Sequence, residues 1–282
     1  MKIFNVDLYD FFKLKKPLNA VGELICYIPD KSVEINVNRK APAMLVLPGG
    51  GYSMTSFRED EPIALKYLSY GFAAFVLRYS VVPLKHPTQL TEAVMAMNYI
   101  RLHAAELGVD EKMVSAVGFS AGGHLCAMLG SYYDAPEVAE VFKSEVSARP
   151  DAVILSYSVI TSSGKTHYGS FINLCGEDNE PLTRKISIEN LVNSNSAPAF
   201  IWATYNDGIV PIRNSLIAAL AYDEAGVPFS IHVFGKGQHG LSAADKTVYG
   251  ASYVDIDKSE SVTEWVRLSV EWLKELGIEI KD

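Results

Sequence analysis

The feature that most constrains this chain is a recurring series of short apolar runs. They are Ala43-Met44-Leu45-Val46-Leu47, Ala73-Ala74-Phe75-Val76-Leu77, Met113-Val114-Ser115-Ala116-Val117, Ala152-Val153-Ile154-Leu155-Ser156, Ala199-Phe200-Ile201-Trp202-Ala203 and Phe229-Ser230-Ile231-His232-Val233. Runs this short and this apolar suit strands buried on both faces of a parallel sheet. Helical spacing lies between them. It covers 60–70, then Thr91 to Ala105 with Ala93, Ala96, Met97 and Ile100 on one face, then 123–131 and 212–225. A last helix runs from about Val262 to Leu276, with Trp265, Leu268 and Trp272 in register; the two tryptophans suit either a core or an interface between copies. Alternating strands and helices predict an α/β fold, with a mostly parallel central sheet and helices on both faces. The runs 23–28 and 33–37 have no helix between them, so the sheet is expected to open with an antiparallel edge. With 49% hydrophobic residues the 282-residue chain can bury such a sheet, and 1–282 reads as a single domain.

Residues 157–196 break the rhythm. They lie between two core strands and are rich in Ser, Asn, Gly and Thr. That is too long for a plain loop in a compact domain. The segment reads as a small, partly helical cap insertion over a site, against the alternative of a surface insertion with no substrate contact.

The third central run feeds Gly118-Phe119-Ser120-Ala121-Gly122-Gly123. A serine between two glycines, after a strand and before a helix, has the pattern of a nucleophile elbow. The turn is so sharp that side chains at 118 and 122 would clash, and the serine Oγ is left exposed at the top of the sheet. A serine hydroxyl attacks only when a base takes its proton, usually a histidine oriented by a carboxylate. Of the six histidines, His239 is the best placed, on a loop beyond the last strand that can return over the strand ends. His124 follows Ser120 by four residues on the departing helix and cannot reach back; His232 lies within a strand, and both read as structural. Asp207 follows strand 199–203 and can accept from His239 Nδ1, although Asp before Gly is also a common turn. The order Ser…Asp…His is the one expected of α/β-hydrolases. The tetrahedral intermediate needs donors for its negative charge. The backbone N–H of Ala121 is one candidate, and Pro48-Gly49-Gly50-Gly51-Tyr52 can supply others, because successive glycines let N–H groups turn inward.

A net charge of −8 argues against nucleic acids and anionic membrane surfaces as partners. Cys26, Cys126 and Cys175 are odd in number, widely spaced and without a C-x-x-C, which disfavours a disulfide framework or zinc site and suits a reducing cytoplasm. Met1 to Asp7 is too polar for a signal peptide, and no apolar run approaches the roughly 20 residues of a membrane helix. No metal-ligand cluster or cofactor fingerprint occurs, so neither a metal nor a cofactor is expected.

Four blocks come in order: Pro48-Gly49-Gly50-Gly51-Tyr52, Gly118-Phe119-Ser120-Ala121-Gly122-Gly123-His124-Leu125, Asp207-Gly208-Ile209-Val210-Pro211 and Gly237-Gln238-His239-Gly240. Together with Arg58-Glu59-Asp60-Glu61-Pro62 and Val210-Pro211-Ile212-Arg213-Asn214-Ser215-Leu216, they resemble the acetyl-xylan-esterase-like and feruloyl-esterase-like serine esterases of the α/β-hydrolase superfamily. The similarity spans roughly residues 20–276. It implies Ser120 as nucleophile, Asp207 as acid and His239 as base, with Gly50, Gly51 and Ala121 as oxyanion donors. The sequence departs from related esterases at Pro48, where a histidine is usual, and at Glu92, where aspartate is expected.

The combined reading is a serine carboxylesterase that removes short acyl groups, acetyl first, from small esters such as acetylated sugars or xylo-oligosaccharides. Tyr52, Arg58, Tyr79, Tyr157 and His167 are the candidates to line its pocket. Two alternatives stand beside it: an exopeptidase or arylformamidase on the same fold, and a binding module without activity. A homo-oligomer is compatible with the sequence.

Overall fold

The computed structural model describes residues 1–34 and 36–279. Within them, eight strands form one sheet: β1 (Lys2–Asp7), β2 (Glu23–Ile28), β3 (Ala41–Leu47), β4 (Ala73–Arg78), β5 (Val109–Phe119), β6 (Val153–Ser156), β7 (Ala199–Thr204) and β8 (Phe229–Phe234). Their spatial order is β1-β2-β4-β3-β5-β6-β7-β8. The pairs from β4 to β8 are parallel, and β1 with β2 and β2 with β4 are antiparallel.

Period-two alternation in the apolar runs builds two cores. Ala43, Leu45 and Leu47 of β3 join one cluster with Phe75 and Leu77 of β4; Met44 and Val46 join the other with Ala74 and Val76. The first cluster takes Leu90, Met97 and Ile100 from helix Thr88–Leu102 and Leu125 and Leu129 from helix Ala121–Ser131. The second takes Ile63 and Tyr67 from helix Glu61–Ser69, and Trp265 and Leu273 from helix Trp265–Glu275. Each fully buried Leu, Ile, Val or Phe is worth about 1.5–3 kcal/mol, so both faces must be covered for these runs to be tolerated. Trp265 and Trp272 both belong to this core.

The antiparallel edge differs from the expected one. Val33, Glu34 and Val37 lie in turns, Val33 is 86% exposed, and Ile35 of the expected strand lies outside the described residues. Asn36 N–H bonds locally to Ser32 C=O at 3.0 Å, and none of the described residues of this stretch belongs to a strand. The edge is instead β1, which pairs with β2 from Lys2↔Ile28 to Asp7↔Glu23. Boundaries also shift. β5 begins at Val109, and the helix after Ser120 begins at Ala121. Helix Thr88–Leu102 starts earlier than its apolar face suggests and is followed by a separate turn, Ala104–Leu107. The last helix is preceded by a 3₁₀ turn, Glu260–Glu264. Residues 157–196 contain helices Tyr168–Cys175 and Glu180–Lys185 and a 3₁₀ turn, Ile188–Asn190. No helix among the described residues is long and apolar enough to cross a membrane.

Candidate active site

At the end of β5 the chain reverses into helix Ala121–Ser131 through Ser120, which has φ 53° and ψ −117°. A side chain on Gly118 would lie 2.2 Å from the Gly122 carbonyl oxygen, and one on Gly122 would lie 2.2 Å from the Leu47 carbonyl oxygen. Only glycine lets strand, turn and helix come this close, which is why the serine can hold its strained conformation at the strand ends.

The loops after β7 and β8 meet at this serine. Ser120 Oγ is 2.9 Å from His239 Nε2, and His239 Nδ1 is 2.7 Å from Asp207 Oδ2. The carboxylate can only accept, so Nδ1 carries the proton and Nε2 is left to accept from the serine. Asp207 is buried, and its other oxygen accepts from the N–H groups of Ile209 at 2.8 Å and Val210 at 2.9 Å. The aspartate therefore makes an Asx turn with one oxygen and orients the imidazole with the other. Both readings of Asp-Gly hold at once.

The glycine loop after β3 presents donors. Gly49 C=O accepts from Ser56 N–H at 2.9 Å, and Gly50 C=O accepts from Ser53 N–H at 3.0 Å and Ser53 Oγ at 2.9 Å. In a trans peptide the N–H points away from the carbonyl of the same plane. The N–H groups of Gly50 and Gly51 are thereby turned away from those bonds, and neither has an acceptor among the described residues. The Ala121 N–H, first in its helix, is likewise without one, and sits at the positive end of the helix dipole.

A cleft of about 350 Å³ opens here, lined by Gly50, Gly51, Ser120 and His239 among others. Arg58 and His167 also line it. The Arg58 guanidinium lies 5.7 Å from the centre of the Tyr249 ring. His167, from the insertion, bonds through Nδ1 to Ser170 Oγ at 2.8 Å, and burial together with the nearby His239 pushes its pKa down. The three tyrosines expected in the pocket do not line it. Tyr52 is buried and its hydroxyl donates to His124 Nδ1 at 2.9 Å; Tyr79 OH donates to Pro48 C=O at 2.5 Å; Tyr157 OH donates to Glu59 Oε1 at 2.6 Å. The Tyr79 hydroxyl thereby holds backbone of the donor loop, and the other two hold the side chains of His124 and Glu59. His124 is structural: Nε2 donates to Ile186 C=O at 2.8 Å, and burial holds its pKa down at about 4.

Two residues of the cleft carried no role in the sequence reading. Glu59, in the Arg58-Glu59-Asp60 block, is buried and accepts from Gly49 N–H at 2.8 Å. Asn173, in the insertion, donates to Gly51 C=O at 2.8 Å. The insertion thus reaches the cleft through His167 and Asn173. Glu92, the other departure, lies in the core away from the cleft and accepts from Ser80 N–H at 2.6 Å and Tyr9 OH at 2.9 Å.

A family model described as BD-FAE matches residues 30–221. Endo-1,4-beta-xylanase B of Butyrivibrio fibrisolvens is 40% identical over 217 residues, 74% of this chain and 34% of that protein. Acetylxylan esterase of Xylanibacter ruminicola is 27% identical over 237 residues, 82% of this chain and 46% of that protein. The chain therefore spans less than half the length of either relative. Among solved structures, an acetyl ester-xyloside bifunctional hydrolase from Caldicellulosiruptor lactoaceticus superposes with a TM-score of 0.81 at 34% identity, covering 98% of this chain and 97% of that one.

Proposed function

This chain belongs to the BD-FAE family of α/β-hydrolase carboxylic ester hydrolases, and from that premise we propose that it removes short acyl groups, acetyl first, through an acyl-enzyme on Ser120. The observation that carries this reading is the unbroken chain Ser120–His239–Asp207 beside three N–H groups without acceptors among the described residues. His239 Nε2 takes the hydroxyl proton as Ser120 Oγ attacks the ester carbonyl. The N–H groups of Gly50, Gly51 and Ala121 receive the oxyanion, and Asp207 stabilises the imidazolium. The imidazolium then protonates the leaving alcohol. Water, deprotonated by the same imidazole, attacks the acyl-serine, and its collapse frees the acid and Ser120.

A small cleft with Met54 and Ile209 on its walls favours a short acyl chain. Relatives named acetylxylan esterase and acetyl ester-xyloside hydrolase support acetylated xylo-oligosaccharides as the substrate class. Small soluble esters, a cytoplasmic setting and no nucleic-acid or membrane partner belong to the same proposal, as do the assignments of Ser120, Asp207 and His239.

The test is hydrolysis of p-nitrophenyl acetate, butyrate and octanoate, with acetylated xylo-oligosaccharides alongside and Ser120→Ala as the blank. Turnover should fall with chain length and vanish in the variant. Turnover retained by Ser120→Ala would sink the assignment, and faster cleavage of an aryl formamide or aminoacyl amide would favour the amidase reading. A fluorophosphonate probe separates an enzyme from an inactive module, because only an activated serine reacts.

A further inference from the structure

In the wall of the cleft lies a buried carboxylate to which the triad chemistry gives no step. Glu59 is 4% exposed. Its Oε2 accepts from Gly49 N–H at 2.8 Å, immediately before the two glycines that present free N–H groups. Its Oε1 accepts from Tyr157 OH at 2.6 Å. Tyr157 OH in turn accepts from Ser242 N–H at 2.9 Å, three residues beyond His239, and the Tyr157 ring packs edge-on against the His239 imidazole with centroids 5.1 Å apart. Ser242 is fixed further, its Oγ donating to Arg58 C=O and its C=O accepting from Trp265 Nε1 at 2.9 Å. The space beside the Gly49 Cα is bounded by Glu59 Oε2, the Phe119 carbonyl oxygen and Ser120 Cβ. One side chain therefore touches the donor loop. Through one tyrosine it also holds the segment that carries the base.

We propose that Glu59 is a positioning residue for ester hydrolysis, holding the Gly49–Gly51 loop and the His239 loop in one register as a buried carboxylate. The inference rests on the reading of Ser120 and His239 as nucleophile and base. Both Glu59 oxygens accept and the Tyr157 oxygen is already an acceptor for Ser242, which is the bonding pattern of an ionised carboxyl group. Burial outweighs the bonds from Tyr157 and Gly49 and the nearness of His239 and Arg58, so the Glu59 pKa lies above the usual carboxylate value. The other charges and titratable groups around the pair are Asp207 on His239, His167 across the cleft, Tyr249, Tyr79, and Asp60, which is ion-paired with Arg78 at 2.9 Å. The negative charge of Glu59 favours the imidazolium that forms when Ser120 loses its proton.

The experiment compares Glu59→Gln and Tyr157→Phe with the wild type in the full chain, on p-nitrophenyl acetate across pH, with thermal melts as a folding control. Loosening the donor loop should lower kcat about tenfold or more in Glu59→Gln, less than outright loss of an oxyanion donor, with KM within about twofold. The acid limb of kcat/KM should move to lower pH in this variant, because a charge that favours imidazolium has gone. Tyr157→Phe keeps that charge, so its kcat should fall without the downward move. Wild-type kcat in either variant overturns the proposal, as does a reduced kcat in Glu59→Gln with an unmoved acid limb. If Glu59→Gln does not fold, the kcat of Tyr157→Phe decides. Fluorophosphonate labelling of the wild type separates the two levels. An unlabelled wild type removes the nucleophile reading itself, whereas a labelled wild type with indifferent variants removes only the role of Glu59.

Discussion

A methyl group added to Gly122 would meet the carbonyl oxygens of Leu47 at 2.2 Å and Pro48 at 2.3 Å. Across the cleft, the insertion is held by side chains that reach. Asn173 donates to Gly51 C=O at 2.8 Å, Lys85 donates to Asn173 C=O at 2.8 Å, and Asn214 Oδ1 accepts from Ile160 N–H at 3.0 Å. The elbow is specified by side chains that are missing, so backbone presses on backbone and nothing can yield. The insertion is specified by polar groups that are present, each of which can be removed singly. The first region should fail as a unit, the second by degrees.

The sharpest way to break this contrast is Gly122→Ala. Overpacking usually costs about 1–3 kcal/mol when side chains can shift; here the struck atoms are backbone, so the cost is higher. The expected result is a protein that either does not fold or melts far below the wild type, with fluorophosphonate labelling near the Ser120→Ala level. A variant that keeps wild-type labelling would show that the elbow has slack and that the two regions do not differ in kind.

The same contrast explains what the sequence discloses. Ser120, Asp207 and His239 stand in turns whose residues announce the turn: glycines around the serine, glycine after the aspartate, glycines flanking the histidine. The α/β layering is equally visible, because strands buried on both faces leave unbroken apolar runs. Glu59 carries no such mark. Its partner Tyr157 is 98 residues away, and locally it is one charge among several after a loop. Tyr52 and Tyr79 mislead for the reverse reason. Tyr52 follows the donor glycines and Tyr79 follows a core strand, but their hydroxyls meet His124 and Pro48 on the protein side. At the sheet edge, 33–37 alternates well enough for a strand, yet β2 is taken on that side by Lys2–Asp7. Alternation alone cannot say which of two candidates will pair.

In the insertion, Asn173→Ala should act mildly. A hydrogen bond of this kind contributes about 0.5–1.5 kcal/mol, so kcat should fall roughly two- to tenfold as Gly51 C=O loses its tie and the Gly51–Tyr52 peptide gains freedom. The melting temperature should hardly change, which separates this tie from the elbow. Loss of the fold on this substitution would mean the insertion is as rigidly specified as the elbow.

The smallest expected effect is also the one that gives the insertion a pH dependence the elbow lacks. Lys185, at the end of helix Glu180–Lys185, is 3.0 Å from Glu137 Oε1, which also receives His86 Nε2 at 2.9 Å, while Tyr132 OH lies 3.0 Å from Glu137 Oε2. Burial pushes the Glu137 pKa up, but the bonds from His86, its own backbone N–H, Lys185 and Tyr132 outweigh it and hold the value at about 2. A carboxyl with a depressed folded-state pKa adds stability above its unfolded value of about 4.3, and that contribution is lost as pH falls towards 2. Partial exposure screens the charges, and glutamine keeps one acceptor for His86 and Lys185. Glu137→Gln should therefore cost only about 1 kcal/mol near neutral pH in urea unfolding. The gap between wild type and variant should close between about pH 4 and pH 2, because the wild type becomes neutral there as well. A gap of constant size across that range would assign the tie to shape rather than charge, and the insertion's anchoring would then be as indifferent to pH as the glycines of the elbow.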